Sequence, residues 1–152
     1  MFHLVPGHPN APAPRKRPRT TLTPSLAELP DGSLLAFGTP GGDCQDQWSL
    51  QAFLGVVDGG MSLHEACNAP ALQSAHVPNS FWPREARPGV VVVEGDLPRD
   101  VIDGLRERGH RVEVGPPRSQ GRVSFVRRAA DGALEAAISR RHGHPEVGAI
   151  ES

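Results

Sequence analysis

"LLAFGTPGGDCQDQWSLQAFL", residues 34–54, carries the chain from an apolar run through Gly41 and Gly42 into an amphipathic segment. That order of residue types predicts a strand, a glycine turn and a helix. Leu50, Phe53, Leu54 and Val57 recur at helical spacing and are expected to form the buried face. Asp43 is placed to cap the helix, Asp46 falls in its first turn, and Gly59-Gly60 ends it. The paired glycines admit two readings. One is a tight turn with close packing of helix on strand. The other is a set of backbone donors for an anion, whether phosphate, carboxylate or transient oxyanion. A phosphate loop is disfavoured: neither GxxxxGK followed by Ser or Thr nor GxGxxG occurs, and Asp43 would repel a phosphate.

Outward from this stretch, "TLTPSLAEL" and "SLLAFG" flank Asp31-Gly32 and predict a β-hairpin with strands near 22–28 and 33–38. Downstream, Ser62 and Glu65 have capping-box spacing, and the helix they open stops near "NAP". "QSAHVPNSFWPREARPG" reads as a long loop. The β-branched run "VVVVE", residues 90–94, predicts a buried strand. Asp96 is expected to cap a third helix, with Pro98 in its first turn and Gly109 at its end. Val101, Ile102 and Leu105 form its apolar face. "HRVEV" is a further strand. A second hairpin turns at Asp131-Gly132, with Val123, Phe125, Leu134 and Ile138 as apolar anchors.

The 152 residues suffice for one ordinary domain. Aromatics are 5% of the chain, Tyr is absent, and 17 glycines and 16 prolines imply long irregular stretches. A net charge of −1 sets up no global field toward nucleic acid or an acidic membrane, and neither is an expected partner. No apolar run is long enough to span a bilayer. "MFHLVPGHPN" lacks the regions of a signal peptide, so the chain is expected in the cytoplasm. Residues 1–19 form an extended proline-rich basic arm, 20–141 the domain-like region, and 142–152 a flexible tail. The basic run Arg15, Lys16, Arg17 and Arg19 is compatible with a nucleic-acid contact, a solvated linker or a strap held by a partner, the last two being favoured.

Among candidate side chains, Thr20, Thr21 and Thr23 are either ordinary strand residues or adjacent hydroxyls able to hold a carboxylate. His142 and His144 lack a nearby third ligand, so no metal site is expected, and no cofactor is implied. Cys44 and Cys67 make neither a disulfide framework nor a zinc site. Cys67 is read as packing, and Cys44 as partly exposed with no activating histidine nearby. Trp48 and Trp82 are read as packing anchors.

"PRTTLTP", "FGTPGGD", "SLHEACNAP" and "LPRDVIDGLRERGHRVEV" occur in an order that resembles the C-terminal region of γ-glutamyltransferases (γ-glutamyltranspeptidases), which are N-terminal-nucleophile hydrolases. The resemblance runs from about His8 to the end of the second hairpin. It implies an α+β fold that is part of an αββα sandwich, mostly antiparallel strands plus about three helices, incomplete without upstream sequence. Sheet edges and apolar faces are then expected to lie bare, with weak independent stability. The family moves a γ-glutamyl group from glutathione or a related donor to water or an amine, through an N-terminal threonine that is its own base. The resemblance assigns donor-carboxylate binding to Thr20 and Thr21, where many members have serines, and oxyanion stabilisation to the Gly41 and Gly42 N–H groups. Asp43 stands where many members carry a small polar residue.

The family's Thr-x-His nucleophile segment has no counterpart, because all four threonines, Thr20, Thr21, Thr23 and Thr39, lie at or after the carboxylate motif. The expected state is therefore a fragment inactive alone, with the upstream large-subunit region as its missing partner and a γ-glutamyl donor such as glutathione as its ligand once complemented. The alternatives are the small chain of a split enzyme and a non-catalytic carboxylate-binding module. The rival enzymatic activity is β-lactam side-chain acylation or deacylation.

Overall fold

The computed structural model describes residues 2–141. The tail after Arg141, with His142 and His144, lies outside the described residues. Two sheets form. The first has the order β1 (Ser25–Glu28), β2 (Leu34–Gly38), β6 (Ser124–Arg128), β7 (Leu134–Ile138), antiparallel throughout. The second orders β3 (Leu72–Ser74), β4 (Val90–Glu94) and β5 (Arg111–Gly115); β3 runs antiparallel to β4, and β5 runs parallel to it. The helices are α1 (Gln45–Val57), entered through a 3-10 turn at Gly42–Cys44, α2 (Leu63–Asn68) and α3 (Arg99–Glu107), the last bridging β4 to β5.

The local signals act where the sequence places them. Both hairpins turn on Asp-Gly: Gly32 at φ 80° donates to the Leu29 carbonyl at 2.9 Å, and Gly132 at φ 93° donates to the Ala129 carbonyl at 2.9 Å. In each turn the aspartate accepts an N–H two residues on, Ser33 at 2.9 Å and Ala133 at 3.0 Å. The capping box closes α2, with Ser62 N–H donating to Glu65 Oε2 at 2.8 Å and Glu65 N–H to Ser62 Oγ at 3.2 Å. "VVVVE" is the buried centre of the second sheet. Gly109, at φ 90°, ends α3.

Two cores follow. Leu35, Phe125 and Ala137 of the first sheet, with Val123 just before β6, meet Ala52 of α1 and Leu63, Ala66 and Cys67 of α2. Phe37 packs against Phe53 and Phe125 with ring centroids 5.1 and 5.3 Å apart. The second core is Val91, Val93 and Ile102, with Leu72, Leu97, Leu105 and Val112 against it.

Several local expectations are corrected. The face of α1 that is buried carries Gln45, Ser49 and Ala52, while Leu50, Leu54 and Val57 are exposed. Small residues there let the helix approach the sheet, and Phe53 with Trp48 and Val56 fills the flanks. Trp82 is 88% exposed and anchors nothing. Leu134 and Val101 are exposed too. No side chain caps the 3-10 turn, α1 or α3: Asp43 bonds elsewhere, and Pro98 occupies the α3 cap position in place of Asp96. The first two residues of the expected loop, Gln73 and Ser74, belong instead to β3, a strand of three residues.

The outer face of the first sheet carries one apolar row. Register aligns Leu26, Ala36, Val126 and Ala136 across all four strands, while the next row, Glu28, Leu34, Arg128 and Leu134, mixes charged and apolar residues. Leu26 and Val126 are exposed. Covering such side chains stabilises by roughly 1.5–3 kcal/mol each when burial is complete. The bare apolar row, and the outer edges of β1 and β7 that no strand among the described residues covers, match the expectation for a partial sandwich.

Candidate active site at the glycine turn

Gly41 and Gly42 sit between the end of β2 and the start of α1, at φ 145° and 59°. Space as well as backbone demands glycine here. A Cβ on residue 41 would lie 2.2 Å from Cζ3 of Trp48, and one on residue 42 would lie 2.9 Å from Cε2 of Phe81. Trp48 is wedged between Gly41 and Gly121, and its Nε1 donates to Gln120 Oε1 at 3.3 Å. The Gly41 carbonyl accepts from the Cys44 N–H at 3.1 Å and the Gly42 carbonyl from the Gln45 N–H. Among the described residues no acceptor pairs with either glycine N–H. Two free backbone donors at a turn into a helix suit an anionic oxygen.

Asp43 reaches across the fold to the 75–89 loop. Its carboxylate accepts from the N–H of Ser80 at 2.6 Å and from the Ser80 hydroxyl. Ser80 is fully buried, so this contact ties the loop to the turn. The Arg19 guanidinium stands 3.7 Å from the same carboxylate. Being half exposed, that ion pair contributes at most about 1 kcal/mol. Sequence reading had no signal for Ser80, which lies 37 residues from Asp43.

Arg19 belongs to the segment carrying the threonines. Thr20 is exposed and its Oγ1 accepts from the Leu22 N–H at 3.2 Å. Thr21 is half-buried, and its carbonyl faces the side-chain amide of Gln45 at 3.0 Å. The same amide faces the Thr39 carbonyl at 3.2 Å, and the Thr23 hydroxyl lies 3.5 Å from it. Residues 19–23 therefore run as a strap beside the glycine turn, and the two motifs read separately along the chain are neighbours in space.

A buried ion pair underlies the turn. Arg141 Nε donates to Glu94 Oε1 at 2.9 Å and Nη2 to Oε2 at 2.6 Å. Arg141 also donates to the carbonyls of Cys67 and Ala69, both at 2.7 Å. Glu94 accepts from the N–H groups of Gln120 at 2.7 Å and Ala71 at 2.8 Å. Burial pushes the Glu94 carboxyl up, but its hydrogen bonds with Arg141, Gln120 and Ala71 together hold it below the ordinary carboxylate range. The pair joins the end of β4 to the chain just past β7. Through Gln120 it connects to Trp48 and so to Gly41.

Neither cysteine is activated. Burial raises the Cys44 thiol, and the carboxylates of Asp43 and Asp46 raise it further. Burial pushes Cys67 up to about 12 against the opposing effects of the Phe125 backbone and Arg141. Among the described residues no group of three His, Cys, Asp or Glu is arranged for a metal. No helix among them is long and apolar enough to cross a membrane.

The chain as a whole is similar to known proteins. Residues 1–148 match the family model described as gamma-glutamyltranspeptidase. An oxamate amidohydrolase proenzyme of Klebsiella pneumoniae is 32% identical over 97% of this chain and 27% of its own length. An acylase ACY 1 proenzyme of a Pseudomonas species is 33% identical over 95% of the chain and 24% of its own. A glutathione hydrolase proenzyme of Arthroderma benhamiae is 29% identical over 89% of the chain and 21% of its own. The chain thus spans about a quarter of the length of these relatives. Of solved structures, LmbA2991HD superposes with a TM-score of 0.85 and 47% identity, over 97% of this chain and 27% of that one. A mutant Helicobacter pylori gamma-glutamyltranspeptidase superposes with a TM-score of 0.70 and 26% identity, over 93% of this chain and 72% of that one.

Proposed function

The chain belongs to the gamma-glutamyltranspeptidase family, and from that premise we propose that it is the C-terminal part of an acyl-transfer enzyme whose threonine nucleophile lies on upstream sequence. The carrying observation is the juxtaposition of the glycine turn and the strap that carries Thr20 and Thr21, with no acceptor on the Gly41 and Gly42 N–H groups among the described residues. In this reading Thr20 and Thr21 donate hydrogen bonds to the α-carboxylate of a γ-glutamyl donor such as glutathione. The nucleophile's free α-amine takes the threonine hydroxyl proton as the oxygen attacks the γ-carbonyl carbon. The carbonyl oxygen becomes an anion and is stabilised by the two glycine N–H groups. Collapse breaks the C–N bond, and the departing amine receives the proton. Water or an acceptor amine then attacks the acyl-threonine by the same route in reverse.

The chain is proposed to be inactive alone, since it contains no Thr-x-His segment. A chromogenic γ-glutamyl anilide tests this, with the purified chain assayed alone and beside a co-expressed upstream chain carrying that segment. Turnover is expected only in the pair; robust turnover by the chain alone overturns the inactivity. A second reading, hydrolysis of a different amide, draws on the relatives named for oxamate and for acylase activity. Measuring γ-glutamyl, glutaryl and oxamate substrates side by side on the reconstituted pair decides between them, with the γ-glutamyl substrate expected to give the highest kcat/KM.

A further inference from the structure

Gln45 opens α1 and is 8% exposed. Two carbonyls, Thr21 at 3.0 Å and Thr39 at 3.2 Å, face one end of its amide. Carbonyls only accept, so that end is the NH₂ group, and its two hydrogens meet two acceptors. One acceptor belongs to the threonine strap. The other belongs to the residue before Pro40, at the entrance to the Gly41-Gly42 turn. Thr39 is itself fixed, its hydroxyl oxygen accepting from the Arg122 N–H at 2.8 Å. The β1–β2 ladder begins only at Ser25↔Phe37, so residues 19–23 lie past its end. Their placement depends on side-chain contacts. Arg19–Asp43 is one such contact, at 3.7 Å and half in solvent. The Gln45 amide is the buried one.

We infer that Gln45 is a positioning residue, a two-hydrogen latch that sets the distance between the threonine strap and the glycine turn. Its catalytic meaning rests on the reading proposed above, in which the strap holds the donor carboxylate and the turn holds the acyl oxygen. Positioning errors of about 1 Å at reacting groups cost on the order of a hundred-fold in rate. The latch therefore acts on both ends of the bound acyl group while touching neither.

Gln45→Glu is the discriminating variant. It keeps the shape and puts a carboxylate oxygen, which cannot donate, against two carbonyls. Protonating that carboxyl restores one donated hydrogen, so the defect reverses in acid. Melting of the chain itself provides the first readout. Gln45→Glu is expected to melt about 5 °C below wild type at pH 7.5, with the gap closing at pH 5. Gln45→Leu, which has no proton to regain, keeps its gap at both values. A gap for Gln45→Glu that is absent, or the same at both pH values, overturns the latch; so does a Gln45→Glu that stays unfolded at pH 5. Trypsin cleavage after Arg19 is the second readout. It should quicken at least five-fold in Gln45→Glu at pH 7.5, while the folded core from residue 25 onward survives, and an unchanged rate overturns the latch. These measurements need no turnover, so they stand if the acyl-transfer reading fails. In the reconstituted pair, KM for the γ-glutamyl anilide should rise about ten-fold in Gln45→Glu at pH 8 and return toward wild type at pH 6. An unchanged KM removes the catalytic part of the inference.

Discussion

Two glycine turns flank β2, and they are made differently. At its N-terminal end Gly32 turns the first hairpin, and the nearest atom to a Cβ there would be Ala130 Cβ at 3.7 Å. At its C-terminal end, Cβ atoms on Gly41 and Gly42 would strike the rings of Trp48 and Phe81. The hairpin turn needs glycine for its dihedral angle alone. The second turn needs it for the dihedral and for space that tertiary neighbours occupy. Its neighbours come from α1, from the 75–89 loop and, through Gln120, from the Glu94–Arg141 pair. The first turn is local chemistry repeated at Asp131-Gly132, whereas the second is assembled by the fold.

Removing the deepest support should have the largest effect. Arg141→Met strands Glu94 in the core and is expected to cost about 3–5 kcal/mol at pH 7, read by denaturant unfolding. In the wild type the Glu94 carboxyl is held low, so its contribution is present above the unfolded carboxylate pKa and is lost as pH falls through the folded value. Without Arg141, burial is opposed only by the Gln120 and Ala71 N–H groups, so the carboxyl is held low less firmly and adds less stability at neutral pH. The stability gap between the two proteins should thus shrink from pH 7 to pH 3. A constant gap would mean that the pair does not support the turn electrostatically.

Next in size is the turn itself. Loss of one oxyanion donor costs about 3–4 kcal/mol, a hundred- to a thousand-fold in kcat. Gly42→Val keeps the N–H, but its side chain would collide with Phe81 and obstruct the oxygen's approach, so a loss of that order is expected in the reconstituted pair, with melting measured beside it to separate misfolding from chemistry. Near-normal kcat in a folded Gly42→Val protein counts against the oxyanion role. Thr20→Ala and Thr21→Ala should instead raise KM for the γ-glutamyl donor about ten-fold, with a smaller drop in kcat, because carboxylate contacts exist in ground and transition states alike. If KM is unmoved in both, the strap does not hold the carboxylate.

The smallest effect isolates the contrast between the turns. Gly132→Ala meets no atom within 4 Å, so it should cost only the left-handed backbone penalty of about 1–2 kcal/mol. Gly41→Ala adds a collision with the Trp48 ring and should cost more than that. Pairing it with Trp48→Ala, which removes the obstructing ring, should recover part of the difference in a double-mutant cycle. Additive effects would show that the ring does not set the turn.

What was legible in the sequence is what neighbours a few residues apart decide. Asp31-Gly32 and Asp131-Gly132 close their own hairpins, Ser62 and Glu65 satisfy each other's N–H groups, and a run of four valines is too apolar to lie anywhere but inside. The motif order likewise pointed to the family. Tertiary structure alone decided which residues of α1 face inward, since Gln45, Ser49 and Ala52 are chosen by how closely the helix approaches the sheet rather than by hydropathy. It alone paired β2 with β6, Asp43 with Ser80 and Glu94 with Arg141, and it left Trp82 in solvent. These partners are far apart along the chain, and a hydrogen bond between them leaves no periodic trace in composition or spacing. Gln45 makes the point most sharply: in sequence it is an ordinary polar residue at a helix start, and only the fold brings the Thr21 and Thr39 carbonyls to its two hydrogens.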